Sequence, residues 1–279
     1  MFYLVIATIF FSLSFGLIKN QLSVLPSEFV VFCRLIPAVL IFLPFLKKYN
    51  LKIYTKAFFI GMIQFGLMYL CFIKAFKFLQ GNEIAILTTT TPVFVAIWSS
   101  LFGEKFKIVY IFCILMSVIG AGVIVWQNTS FNFLIKGIIL MESCNCSFAL
   151  GQVLWKKYIS EKSESLMATA YLGAILFILP FMILKVDFST LQLNIQQILS
   201  ILYLGIIPTG IGFWLWNKGA GQVKYSVLAV MNNLKIPMGV FFAILIFHEK
   251  INPVNFLAGS LIIILAILVL NIVQKDENY

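Results

Sequence analysis

The chain has 279 residues, of which 62% are hydrophobic and 11% charged, with a mean hydropathy of +1.04. Soluble domains carry about 25% charged residues, so this chain has too little charge to cover a water-soluble globule and reads as a membrane protein. Soluble enzymes, DNA-binding domains and secreted disulfide scaffolds are excluded. The net charge of +10 is no nucleic-acid signal, because the lysines stand in small groups between apolar runs, as loops beside an anionic leaflet do.

A helix needs about 20 apolar residues to cross the hydrocarbon core, and ten runs qualify. The first, residues 2–18, lacks the basic flank and small-x-small site of a signal peptide and reads as a retained span. The second, 27–46, carries Arg34. The third and fourth, 57–76 and 83–103, hold Gln64 and Tyr69, then the run Thr88 to Thr91 before Pro92 and the ending Phe102-Gly103-Glu104-Lys105. The fifth is 108–126. The sixth, 134–155, places Glu142, Asn145 and Gln152 on one helical face. The seventh is 166–184, and the eighth, 196–216, contains Trp214 and Trp216, with Asn217 just beyond. The ninth, 225–247, presents Asn232, Lys235 and Gly239 at i, i+3, i+7, with Met231 and Met238 beside them and Pro237 inside, and ends Phe247-His248-Glu249-Lys250. The tenth is 254–273. Such short loops leave no room for an extramembrane catalytic domain and force neighbouring helices antiparallel.

Alternate loops differ in Lys content. With the N-terminus inside, twelve lysines fall on the cytoplasmic side and six opposite, so the bias predicts N-in, C-in. The five cysteines lie in apolar runs, and Cys144 and Cys146, two apart, point to different helix faces. No metal site or cofactor is predicted.

Sliding the chain against itself by 145 residues aligns Pro92 with Pro237, Glu104-Lys105 with Glu249-Lys250, Ala75 with Ala220 and Tyr69 with Trp214. The Pro and the Glu-Lys pair carry the match. Each copy spans five helices, 1–128 and 129–279, and an odd number of crossings inserts the second upside down. An inverted repeat of this kind lets one molecule open to either side by exchanging the shapes of its halves. The expected fold is therefore an all-α membrane protein of ten helices in two inverted five-helix repeats.

Ten spans in two copies, Pro26 followed by Arg34, and the two Pro…Phe-x-Glu-Lys endings resemble the EamA family of the drug/metabolite transporter superfamily. The resemblance implies a bacterial inner-membrane transporter with a central cavity lined by the first, third, fourth, sixth, eighth and ninth runs. Substrate is left open by it, since related scaffolds move amino acids, other metabolites, drugs and lipid-linked sugars. His248 departs from the Gly of the first copy.

An ionisable group near the bilayer centre needs a partner or an aqueous cavity. Glu142 and Lys235 lie about 12 to 15 Å from a helix end at 1.5 Å per residue, and are expected to pair with each other, to bind the ends of a zwitterion, or to lock the bundle. Pro92 cannot donate to Thr88, nor Pro237 to Asn233. The two turns therefore offer hydroxyl, amide or carbonyl groups to a solute, unless Thr side chains cap the freed carbonyls. The expected substrate site comprises Lys235, Glu142, Asn145, Asn232, Thr88, Thr91, Tyr69 and Trp214. Pro92, Pro237, Glu104, Glu249 and Arg34 are read as structural or gating residues, Arg34 outside the cavity set. The expected function is secondary transport of an amino acid or related carboxylate or amine, with a coupling proton or exchanged solute and membrane lipids as further partners. An amphiphile flippase or drug exporter is the alternative. A membrane-embedded enzyme is disfavoured by the single histidine, the missing metal-ligand cluster and the short loops.

Overall fold

A computed structural model describes the chain except residues 80, 106, 127–133, 248–251 and 277–279. The readings for His248 and Glu249, and the repeat boundary at 128/129, lie outside the described residues. Among the described residues the secondary structure is entirely helical. Eight helices are long and apolar enough to cross a membrane, and Ile108–Ile124 is a shorter apolar helix.

In chain order, α1 (Phe2–Leu17) runs into π-helical turns at Ile18–Leu22, and α2 (Ser27–Phe42) follows. α3 (Leu51–Gly61) and α4 (Met68–Ala75) are one rod joined through π-helical turns at Met62–Leu67. α5 (Gly81–Thr88) and α6 (Thr91–Leu101) meet at a turn, and α7 is Ile108–Val125. α8 (Ile135–Tyr158) and α9 (Ser163–Lys185) are long and uninterrupted. α10 (Ile195–Leu204) and α11 (Phe213–Gly221) are joined through π-helical turns at Gly205–Gly212. α12 (Tyr225–Met231) and α13 (Lys235–Phe247) are separated by a 3₁₀ turn, Asn232–Leu234, and α14 is Pro253–Asp276.

Two expected spans are thus not continuous helices. Residues 83–103 break at Thr89 and Thr90, and 225–247 at Asn232–Leu234. In each the break lies just before a proline, which lacks the N–H that would hold the preceding turn.

Packing places α1 against α11 and α13, α8 against α4 and α6, α2 against α9, and α7 against α14. The main core includes Trp155, Trp216, Tyr171, Phe65 and Leu35, all buried. The outward sides of α7 and α14 expose Ile111, Phe112, Leu115 and Ile119, and Leu257, Leu261, Leu265 and Leu268. An apolar surface of that extent suits lipid rather than water.

α7 and α14 approach closely because both present glycine at the crossing. A Cβ on Gly120 would stand 2.8 Å from the carbonyl oxygen of Gly259, and one on Gly259 would press on the carbonyl of Gly120. In lipid, where apolar side chains gain little by leaving their surroundings, such close backbone contact is a principal source of helix association. Gly259→Leu is expected to force the pair apart and cost about 1–3 kcal/mol, as overpacking does, read as a lowered melting temperature of the purified protein.

α6 ends in a Schellman turn. Gly103 adopts φ +96, its N–H donates to Ser100 O at 3.0 Å, and the Glu104 N–H donates to Ser99 O at 3.0 Å. The Lys157 ammonium donates to the Phe102 carbonyl at 3.2 Å, a cation placed where the helix dipole favours one. Glu104 stands within electrostatic reach of Lys156 and Tyr225, so the carboxylate that the dipole disfavours has a cation beside it.

Candidate functional site

The site grows out of the two broken helices. At the first break the carbonyl that Pro92 cannot serve is capped locally: the Thr91 hydroxyl donates to Thr88 O at 2.8 Å, with Asn145 Oδ1 at 3.2 Å as a second acceptor. The carbonyl of Thr88 is therefore not offered to a solute. Asn145 of α8 closes the rest, its amide donating to Leu87 O at 2.8 Å and to Thr90 Oγ1 at 3.0 Å. The Thr90 hydroxyl has one hydrogen. It is shared between two acceptors at 2.9 Å, Leu87 O and Glu142 Oε2.

At the second break the Lys235 carbonyl lies 3.2 Å from Ser12 Oγ of α1, whose hydroxyl also donates to Thr8 O at 2.7 Å. Asn232 donates to Leu228 O at 2.8 Å and to Gln152 Oε1 at 3.3 Å, and Gln152 also accepts from the Trp216 indole at 3.0 Å. The breaks touch each other: the Asn233 amide lies 3.3 Å from Thr89 O and 3.3 Å from Ser117 Oγ. The polar turns of two rods thus meet in one buried hydrogen-bond system, in which the Leu87, Thr88, Thr89 and Leu228 carbonyls take side-chain donors.

Beside this junction lies a cavity of about 80 Å³. Lys235, Asn145, Thr88 and Tyr69 line it, and so does Arg34, expected from sequence to lie outside the cavity set. Most of the remaining wall is apolar: Phe11, Phe72, Phe148 and Phe213, with Met68, Met141, Cys144 and Pro208. No Asp or Glu is among the lining residues.

Glu142, Thr91 and Asn232 belong to the hydrogen-bond system and are not among the lining residues, and Trp214 packs on Phe42 with Lys218 5.0 Å above its ring. The direct Glu142–Lys235 pair is not formed. The Glu142 carboxylate takes the Thr90 hydroxyl, while the Lys235 ammonium lies 5.4 Å over the Phe148 ring with no acidic partner among the described residues. Pro92 and Pro237 act by placing the breaks.

Arg34 is the largest correction. It is 1% exposed, its Nε donates to Thr209 Oγ1 at 3.0 Å, and its guanidinium carbon lies 3.8 Å above the Tyr69 ring. Thr209 sits in the π-helical stretch Gly205–Gly212, where Pro208 interrupts the backbone ladder. The Thr209 carbonyl accepts from the Tyr171 hydroxyl, and Tyr69 OH lies 3.0 Å from the Thr209 hydroxyl. The signal for this corner was the Gly-Ile-Ile-Pro-Thr-Gly-Ile-Gly segment inside an apolar run, where glycine and proline mark an irregular turn. That it faces Arg34 could not be read from spacing.

A model of the EamA-like transporter family matches residues 1–126 and 135–272. The chain belongs to the EamA-like transporter family. Curated relatives include the biotin transporter of Salmonella typhimurium, 32% identical over 268 residues that cover 94% of this chain and 89% of the relative. The biotin transporter of Escherichia coli is 31% identical over 273 residues, covering 94% and 89%. A probable biotin transporter of Pseudomonas aeruginosa is 30% identical over 282 residues, covering 98% of each chain. A solved crystal structure shares the fold with a TM-score of 0.80 at 14% identity, covering 100% of this chain and 97% of its own. The protein is accordingly a multi-pass membrane transporter of a small molecule and not an enzyme.

Proposed function

We propose that this EamA-like chain carries biotin, or a carboxylate closely similar to it, across the bacterial inner membrane by alternating access. The observation that carries the reading is the cavity: an apolar, aromatic and thioether wall that includes two cationic side chains, Arg34 and Lys235, and no acidic one. Biotin has matching chemistry, a carboxylate at the end of an aliphatic chain attached to a compact sulfur-containing bicycle. The names of the relatives point the same way. An amino acid fits less well, because Glu142, the group that would hold its ammonium, is turned to Thr90 and is not among the lining residues.

At about 80 Å³ the cavity is well below the roughly 300–1,000 Å³ of sites that enclose a whole organic ligand. In this conformation it encloses the polar end of a solute, and passage requires the helices to part.

Alternation is supported by internal symmetry. The π-helical stretches Met62–Leu67 and Gly205–Gly212 overlap at the 145-residue offset, as do the broken turns at Thr89-Thr90 and Asn232–Leu234. Exchanging the halves turns the α1–α13 contact into α8–α6. Two ion pairs are similarly placed in the two halves, though not in register at that offset: Lys74 to Glu28 at 2.8 Å and Lys218 to Glu164 at 2.8 Å, each joining the Glu of a Ser-Glu helix start to the end of the following rod. These correspondences support two five-helix repeats of opposite orientation within ten spans, and the lysine bias supports N-in, C-in. Glu142 is the proposed carrier of a coupling proton, since it bonds the broken turn without occupying the cavity wall. Uptake driven by an inward proton gradient should disappear in Glu142→Gln while gradient-independent exchange persists.

The direct test is uptake of radiolabelled biotin into proteoliposomes holding the purified chain. Saturable uptake inhibited by unlabelled biotin is expected. Uptake no greater than in protein-free liposomes overturns the assignment.

A further inference from the structure

Resting on that reading of the cavity, we infer that Arg34 is the anchor for the substrate carboxylate and that Thr209 is the residue positioning it. A guanidinium stays protonated under any accessible condition, and burying it without a counter-charge is costly. Arg34 is 1% exposed, and its protein neighbours are neutral: the Thr209 hydroxyl at 3.0 Å on Nε and the face of Tyr69 at 3.8 Å. No carboxylate reaches it among the described residues, and Nη1 is buried with no hydrogen-bond partner. A native protein does not ordinarily keep so strong a donor unsatisfied without a use for it.

The geometry shows the use. Nε is occupied by Thr209 and the guanidinium carbon lies 3.8 Å over the Tyr69 ring, so two contacts restrain the fork. Thr209 is itself held, its carbonyl by Tyr171 and its hydroxyl beside Tyr69 OH. The donors at the far end of the guanidinium are left for a ligand in the cavity that Arg34 lines. A carboxylate matches such a fork in charge and planarity. Lys235, on the same wall, adds a second cation, and with no acidic lining residue the site selects anions and rejects ammonium groups. The substrate class is therefore an organic carboxylate without a free amine.

The test compares each acid with its own neutral amide, which separates charge recognition from fit. Purified wild type, Arg34→Lys, Arg34→Met and Thr209→Val are titrated with biotin and biotinamide, and with octanoate and octanamide, by thermal shift and by equilibrium binding. Wild type is expected to prefer each acid it binds at least tenfold. Arg34→Met should abolish that preference by weakening acid binding far more than amide binding, Arg34→Lys should retain part of it, and Thr209→Val should weaken acid binding severalfold with the preference still present. A preference of wild-type size in Arg34→Met overturns the inference, as does a wild type that prefers no acid. Should Arg34→Met not fold, a Thr209→Val protein with undiminished acid binding overturns the positioning, and an absent preference in wild type overturns the anchor. If octanoate is preferred and lost in Arg34→Met while biotin does not bind, Arg34 stands as the anchor and the biotin assignment falls.

Discussion

Replacing Lys235 with methionine is expected to weaken biotin binding about 10- to 100-fold while leaving the melting temperature unchanged or raised. A hydrogen bond to a charged group contributes about 1.5–3 kcal/mol, and each 1.4 kcal/mol is about tenfold in affinity. The expectation about stability comes from the missing partner. The ammonium lies over Phe148 and has no acidic neighbour among the described residues, so removing it strands no counter-charge and relieves a desolvated cation. The measurement pairs biotin affinity with thermal unfolding of the same preparations. A fall in melting temperature with affinity intact would make Lys235 a packing residue, and the cavity would lose one of its two cations.

Asn145→Leu should have the largest effect on the fold of the site. Its amide serves Leu87 O and Thr90 Oγ1, and its carbonyl lies 3.2 Å from the Thr91 hydroxyl. A leucine fills similar space but leaves the Leu87 carbonyl competing for the single Thr90 hydrogen, which Glu142 also requires. Each buried group left unpaired costs about 1–3 kcal/mol, though hydrogen bonds measured within membrane proteins average about 0.6 kcal/mol. We expect a loss of about 1–3 kcal/mol, seen as a lower melting temperature, with uptake reduced more than stability because the broken turn beside the cavity loses its shape. Wild-type uptake by Asn145→Leu would show that this turn does not shape the site.

Much of the fold was legible because a bilayer leaves few options. Long apolar runs must be helices, and the runs containing Phe2–Leu17, Ser163–Lys185 and Ile195–Leu204 are helical where run length placed them. The breaks were partly legible. Pro92 and Pro237 announced them, and Thr88 to Thr91 and Asn232 to Lys235 are indeed the two altered turns. The partners were not. Thr91 caps Thr88, so the first turn withholds the carbonyl it was expected to offer, and Glu142 and Lys235 point to different neighbours.

Sorting the few charged residues isolated two deep inside apolar runs, Glu142 and Lys235, and left Arg34 as a third, read as structural, because a charge among twenty apolar residues stands out in one dimension. Spacing along a helix also put Glu142 and Asn145 on one face, and both do meet the Thr90 turn. Which of the three faces the cavity depends on how each rod is rotated against its neighbours. That rotation is set by contacts far apart in the chain: α2 on α9, the π-helical bend at Pro208, and the hydroxyl of Thr209, 175 residues from Arg34. Sequence alone determined that the chain crosses a membrane as helices, where prolines disturb two of them and which charges are out of place. Only the tertiary structure decided that Arg34 and Lys235 share the cavity while Glu142 does not line it, because local pattern records the face of a helix but not what that face meets.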